Sequence, residues 1–406
     1  MITMSAPDVS ADDMALVEQV LRSSSLSGGP MVQAFEREWC ANLGGAHAVA
    51  VSSGTAGLHL ALIAAGVHTG DVVVTTPFSF VASANAALYQ HAVPVFVDID
   101  PVTMNIDPAA VDEAVRAIAR GGVEARRWLP RTTPPDFVRA GSPGHVRAIV
   151  PVHVFGQPAA MRPLLETARE HDVAVIEDAC EAIGSTHEGV RTGTFGHAAV
   201  FGFYPNKQMT TGEGGLVVTR DAGWARLLRS LRNQGRDDDA TWLRHVRLGY
   251  NYRLDEMSAA LGLGQLRRID DLLAARARVA RSYLDRLTGV EGLTLPCIVP
   301  ATTQMSWFVF VIRLAPDIDR DAVMATLHAA GIPSRPYFSP IHLQPFYREA
   351  FGYTEGDFPH TEAAGRSALA LPFHPRLTDD DLDVVTRHLT VAIASCRRPR
   401  GAAAAR

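Results

Sequence analysis

Between Ala48 and Thr219, short apolar runs bounded by turn residues alternate with stretches of helical periodicity. The runs are Ala48–Ser52, Val72–Thr76, Val95–Val97, Ala148–Val154, Val173–Glu177, Ala198–Phe203 and Leu216–Thr219. Several are near-continuous in Val, Ile and Ala, which predicts strands covered on both faces. Helical patterns intervene at Thr55–Ala65, Phe80–Tyr89, Pro108–Ala119 and Met161–His171. This repetition predicts an α/β fold: a large domain whose mostly parallel central sheet lies between layers of helices. Ligands of such sheets collect at the carboxyl ends of strands. Ser52-Ser53, the Pro77–Phe80 segment and Asp178 all fall at those ends.

After Gly215 the pattern changes. Leu254–Leu273 and Ala274–Leu287 predict long helices, and Trp307–Arg313 predicts a strand of a second, smaller C-terminal α/β domain. The expected division is residues 1–253 for the large domain and 254–396 for the connecting helices and small domain, with 397–406 a disordered Ala/Arg-rich tail. Residues 121–147 are broken by Gly121-Gly122, Pro130, Pro134-Pro135 and the Gly141–Gly144 stretch, which predicts a long inserted loop. Ser10 and Asp13 form a capping-box pattern ahead of an apolar-periodic segment.

A net charge of −5 gives no reason to expect nucleic acid or an anionic membrane as partner. No apolar run reaches the length of a membrane span, and Asp8, Asp12 and Asp13 stand where a signal peptide is basic and then apolar. The four cysteines, Cys40, Cys180, Cys297 and Cys396, are scattered and form no CxxC pair. That spacing predicts neither a metal framework nor a disulfide scaffold, and points to the reducing cytoplasm. Cys180, two residues past Asp178, reads as a small packing residue or as a neighbour of the site.

The chemistry lies in one stretch, Phe201-Gly-Phe-Tyr-Pro-Asn-Lys-Gln-Met-Thr-Thr-Gly-Glu-Gly-Gly215, which holds Lys207. Upstream, Asp178 closes the apolar run Val173–Asp178. An acid at the end of a buried strand is costly without a partner. A lysine in a glycine-bounded loop with such an acid is what pyridoxal 5′-phosphate requires. The amine forms a Schiff base with the cofactor aldehyde, and the carboxylate pairs with the pyridinium nitrogen. Ser52-Ser-Gly-Thr-Ala-Gly57 follows a strand and opens a helix, so its free N–H groups suit a phosphate; a simple N-cap gives the same pattern. Phe80 is placed to stack on a pyridine ring, or to serve as a core aromatic. Glu177 points to the opposite face from Asp178 and reads as structural.

The ordered set resembles the DegT/DnrJ/EryC1/StrS family of sugar aminotransferases, which have the aspartate-aminotransferase type of fold. The matching stretches include Ser53-Gly-Thr-Ala56, Thr76-Pro-Phe-Ser-Phe80, Pro151-Val-His-Val-Phe-Gly156, Glu177-Asp-Ala179, Phe203-Tyr-Pro-Asn-Lys207, Gly212-Glu-Gly-Gly215 and Gly249-Tyr-Asn-Tyr-Arg-Leu-Asp-Glu256. The resemblance implies that Lys207 is the Schiff-base lysine, Asp178 the ring-nitrogen partner, Phe80 the stacking residue, and Gly54 and Thr55 the phosphate binders. It implies a homodimer with shared active sites, in which Asn251, and with it Arg253, reaches the cofactor of the neighbouring subunit. His342 is expected to approach the sugar from the small domain. Glu181 stands where many members carry a glutamine that bonds the cofactor's phenolic oxygen, and Gly202 stands where many carry serine.

The activity implied is transfer of an amino group from an amino acid, L-glutamate by analogy, to a nucleotide-linked keto-sugar. Related sugar dehydratases carry histidine where Lys207 stands, so the lysine argues for transamination. Cyclitol aminotransferases of the scyllo-inosose type share the cofactor motifs and remain an alternative. A catalytically silent regulatory or binding member of the fold is another, against which the complete lysine–aspartate set weighs. A Rossmann dehydrogenase is set aside, because Gly262-Leu-Gly264 lies within a helical pattern and no GxGxxG follows a strand.

Overall fold

A computed structural model describes residues 2–133, 145–237 and 244–398. Its strands in chain order are β1 (His47–Val51), β2 (Val72–Thr75), β3 (Val93–Phe96), β4 (Val146–Ile149), β5 (Ala174–Asp178), β6 (Thr186–His187) and β7 (Val190–Arg191). They continue as β8 (Ala198–Gly202), β9 (Gly215–Thr219), β10 (Leu293–Thr294), β11 (Thr302–Gln304), β12 (Phe310–Leu314) and β13 (Ala368–Leu371). Among the described residues the main sheet has seven strands, ordered β1-β9-β8-β5-β4-β2-β3. Strands β3, β2, β4, β5 and β8 pair in parallel, and β9 runs antiparallel to both of its neighbours.

Both faces of this sheet are covered, which is why its strands read as continuous apolar runs. In β1, Val49 and Val51 pack with Leu58, Leu60 and Leu62 of the helix Gly54–Ala64. The alternate residues Ala48 and Ala50 pack with Phe35 and Trp39 of the helix Pro30–Asn42. Farther along, Val74, Val95, Ile149 and Val175 meet the helices Pro108–Arg120 and Met161–His171. Each fully buried Val or Leu contributes roughly 1.5–3 kcal/mol relative to exposure.

The small domain is built on a three-stranded antiparallel sheet, β10-β12-β13. The helices Arg320–Ala329 and Asp379–Ser395 and the long helix Ile269–Leu287 share its core. Among the described residues no helix is long and apolar enough to cross a membrane.

Several expected boundaries move. The run expected to continue to Val154 is a regular strand only to Ile149; beyond it Val150 N–H still donates to the Val74 carbonyl and Val152 bridges Asp178, while Pro151 has no N–H to donate. The long helical stretch breaks at Arg268, not after Leu273, into Glu256–Arg267 and Ile269–Leu287. The Arg268 side chain is held by Asp8 and Asp13. Ala259, Leu263 and Leu266, just past the expected boundary, join Phe35 and Trp39 in the core beside the large sheet.

The stretch expected as loop contains a short helix, Gly122–Arg126. Arg131 then anchors on Asp357 (2.6 and 2.7 Å) and on the Gly352 carbonyl of the small domain. Residues 134–144 of that loop lie outside the described residues. In the expected disordered tail, Arg397 and Arg398 are held by Glu291, Asp317 and Asp319, and 399–406 lie outside the described residues. The Ser10–Asp13 capping box is present.

Candidate active site

Four segments leave the same edge of the main sheet, and their order in space is set by strand pairing. The parallel strands β1, β2, β5 and β8 point their carboxyl ends toward this edge, and the reversed β9 begins there at Gly215. The edge therefore brings together Ser52–Thr55, Pro77–Phe80, Asp178–Glu181 and the loop that carries Lys207.

The anion-ready end comes first. Ser53 caps the helix Gly54–Ala64 by accepting from Ala56 N–H at 3.0 Å. The N–H groups of Gly54 and Thr55 precede that bond, at the positive end of the helix dipole. Both flanking glycines are required by close approach. A Cβ on Gly54 falls 2.8 Å from Cys180 Sγ, and one on Gly215 falls 2.5 Å from the Ser53 carbonyl. Gly202 is part of the same contact, since a Cβ there lies 3.3 Å from Cys180 Sγ. Cys180 thus fills the floor between two glycines, the packing role read from sequence. Desolvation, reinforced by the Asp178 charge, pushes its thiol well above the usual range.

Asp178 is 5% exposed. Its Oδ2 accepts from Ser83 Oγ at 2.7 Å, and Oδ1 accepts from Cys180 N–H at 3.2 Å. Neither partner is a cation, so the carboxylate keeps lone pairs for a charged N–H. Glu177 is spent elsewhere, accepting from the Gly193, Phe195 and Gly196 N–H groups and meeting His153 at 3.1 Å, which is a structural role.

Phe80 is 63% exposed and is no core aromatic; Phe78, fully buried, fills that role. The backbone of Phe80 is tied to Asp178 through Ser83, whose hydroxyl also lies 3.3 Å from the Phe80 carbonyl.

The Lys207 side chain is only 14% exposed. Its Nζ stands 3.5 Å from Glu181 Oε1 and 3.7 Å above the centre of the Phe308 ring. The loop is closed by Lys207 N–H to the Tyr204 carbonyl and by Thr211 N–H to the Phe203 carbonyl. Gly212, at φ 80°, supplies the left-handed turn back into β9. Glu181 Oε2 accepts from Phe155 N–H at 2.9 Å. Burial raises the Glu181 carboxyl above its usual range, against the pull of Lys207 and of the Phe155 N–H.

The remaining expected residues are placed differently. Tyr252 O accepts from Ser52 N–H, so Asn251 and Arg253 flank a backbone tie to the end of β1. Asn251 is exposed, and Arg253 donates to Asn233 Oδ1 at 3.0 Å. His342 is not brought to the site. It is fully buried, 3.1 Å from Glu362 and edge-on to Phe358, so its ring is used inside the small domain. No local signal marks this placement, because the contact depends on a chain reversal between 342 and 362.

Two residues escaped the sequence reading. Ser83 has no distinguishing signal within an alanine-rich helix. Arg276 has one: with Leu272, Val279 and Tyr283 it occupies the buried stripe of the helix Ile269–Leu287. Its guanidinium donates to the carbonyls of Asn206, Lys207 and Phe308, with that of Trp307 at the longer distance of 3.4 Å. Burial lowers it to about 10, so it remains a cation at neutral pH.

A group that fits this edge has an anion for the Gly54–Thr55 helix end, a basic ring nitrogen for Asp178, a planar face for Phe80 and a carbonyl carbon for Lys207. Pyridoxal 5′-phosphate carries all of these, and the fold and site define a pyridoxal-phosphate-dependent transaminase. The chain belongs to the DegT/DnrJ/EryC1/StrS aminotransferase family, whose profile matches residues 7–390. It is 36% identical over 387 residues to a GDP-perosamine synthase of Caulobacter vibrioides, covering 95% of this chain and 96% of that one. It is 35% identical to the spore coat polysaccharide biosynthesis protein SpsC of Bacillus subtilis, covering 94% of each. Among solved structures, DesV of S. venezuelae in complex with a ketimine intermediate superposes with a TM-score of 0.81 at 33% identity, covering 94% of each chain.

Proposed function

We propose that the protein moves an amino group from an amino acid, L-glutamate by analogy, to a nucleotide-linked keto-sugar. The product is an amino sugar for polysaccharide or natural-product synthesis. The observation that carries this reading is the shielded Lys207 amine, on the same sheet edge as Asp178 and the open helix end at Gly54. The sugar class is supported by the relatives named for perosamine and for spore coat polysaccharide. A groove of about 610 Å³ beside Phe80, lined in part by Val81, Leu88, Tyr89, Phe338 and Phe346, has room for a large acceptor.

Each residue has a distinct task. The bound cofactor supplies an electron sink for charge developing at the donor's Cα. Gly54 and Thr55 N–H groups hold the phosphate, and Asp178 keeps the ring nitrogen protonated. Phe80 fixes the ring plane. Lys207 anchors the cofactor and, once released, Nζ takes the proton from the donor's Cα as general base. Arg276 fixes the backbone from which Lys207 reaches. The exposed Asn251, with Arg253, serves the cofactor of a second subunit in a homodimer, and the enzyme works in the cytoplasm.

Lys207→Ala is expected to abolish transamination and to leave no cofactor attached to protein after borohydride reduction. Borohydride-stable attachment at another lysine overturns the assignment. The acceptor class is tested with glutamate and a panel of nucleotide-linked keto-sugars against cyclitol ketones, reading 2-oxoglutarate release. Turnover confined to the cyclitols rejects the sugar reading.

A further inference from the structure

We propose that Glu181 is the proton acceptor for Lys207: it takes the proton that the lysine ammonium must lose to bond the cofactor, and it keeps that proton while the cofactor is held. This rests on the cofactor reading given above.

The two oxygens of Glu181 have different partners. Oε2 is bonded by Phe155 N–H at 2.9 Å, and Oε1 faces Lys207 Nζ at 3.5 Å. The residue is 4% exposed, so water does not replace a lost partner. Its position is fixed by a tight turn. Phe155 sits at φ 59°, and a Cβ on Gly156 would fall 1.6 Å from the Ser306 carbonyl, so the turn that aims the Phe155 N–H admits only glycine there.

The other titratable groups around Glu181 do not substitute for the lysine charge. Asp178 ends β5, Cys180 lies on the segment leaving it, and Tyr337 approaches from the small domain. Asp178 repels a second anion. The Tyr337 phenol, pushed up to about 12 mainly by burial, stays neutral, as does the Cys180 thiol. Arg276, which holds the Lys207 loop, is turned to backbone carbonyls, and Arg335 acts on Tyr337.

While Lys207 is an ammonium, its charge offsets the carboxylate. Covalent attachment removes that offset, and a buried anion with a single N–H partner is unfavourable. Transfer across the 3.5 Å gap solves both problems. An N–H bond breaks at Nζ and an O–H bond forms at Oε1. The freed lone pair would then form the C–N bond to the aldehyde carbon, whose oxygen would leave as water with the two remaining amine hydrogens. No proton goes to solvent. With glutamine at 181 no carboxylate faces Nζ at this position, and the ammonium proton is expected to go to solvent.

The test is a proton count. Apo protein is titrated with pyridoxal 5′-phosphate by calorimetry in two buffers of different ionisation enthalpy, for the wild type and Glu181→Gln. The variant is expected to release about one more proton per bound cofactor than the wild type. Equal counts, with both proteins showing the visible band of the lysine-linked cofactor, overturn the proposal. A wild type that never develops that band overturns the cofactor reading instead. Infrared difference spectra of the wild type alone give a second decision that needs no variant. A carbonyl stretch of a protonated, deuterium-sensitive carboxyl is expected on loading, and its absence also overturns the proposal.

Discussion

Replacing Arg276 by methionine tests whether the Lys207 loop is held by a buried cation. Among the described residues no carboxylate pairs with this guanidinium, which is 2% exposed. It serves backbone carbonyls on both sides of the domain junction: Asn206 and Lys207 on the loop, and Phe308 with the more distant Trp307 at the entry to the small domain. Methionine fills much of the same volume and donates nothing. Three well-placed acceptors stripped of a partner cost about 1–3 kcal/mol each at most, while removing a desolvated charge and burying an apolar chain return part of it. A net loss of about 2–4 kcal/mol is expected. The assay is guanidinium denaturation of the apo protein, with the rate of cofactor loss on dialysis measured in parallel. Arg276→Lys is expected to recover little, because an ammonium places three donors on one point and cannot span separated carbonyls. Unchanged stability within about 0.5 kcal/mol refutes the energetic argument. Lost stability with unchanged cofactor retention refutes the claim that Arg276 positions Lys207.

Other perturbations probe the same framework. His59 is 3% exposed, and burial lowers its pKa from 6.5 to about 4. Gln90 Nε2, at 2.6 Å, donates to His59 Nε2 only when that nitrogen is unprotonated. Between pH 6.5 and about 4 the unfolded chain binds a proton that the folded chain refuses, so stability falls as pH drops through that window. The loss is about 2–3 kcal/mol, and His59→Gln is expected to flatten this part of the stability–pH curve; an unchanged slope assigns the effect elsewhere. Gly202→Ser introduces a Cβ 3.3 Å from Cys180 Sγ and is expected to cost about 1–2 kcal/mol in denaturation or cofactor affinity. Cys180→Ala in the same chain should relieve most of that cost, and strictly additive effects in the double-mutant cycle count against the packing argument.

The chemistry of the site was legible because two residue types stood at revealing places in one-dimensional patterns. Asp178 closes an apolar run, and Lys207 lies in a glycine-bounded loop between two strands. The motif Ser53-Gly-Thr read as a helix start and is one. Arg276 was legible in principle, as a cation on the buried stripe of its helix, but nothing in the chain says that Lys207 lies above it. The resemblance assigned His342 to the sugar, whereas its burial depends on Glu362 and Phe358 folding back over it.

Periodicity alone determined the alternation of strands and helices, the covering of the sheet on both faces and the acid and amine available for cofactor chemistry, since these follow from local patterns of apolar and polar side chains. Tertiary structure decided that β8 lies beside β5, although a short hairpin and a loop separate them in the chain. That pairing sets Glu181 next to Lys207 and Cys180 against Gly202. Strand order is chosen by the packing of all layers at once. Contacts between residues distant in the chain therefore carry energies that no local stretch of sequence encodes.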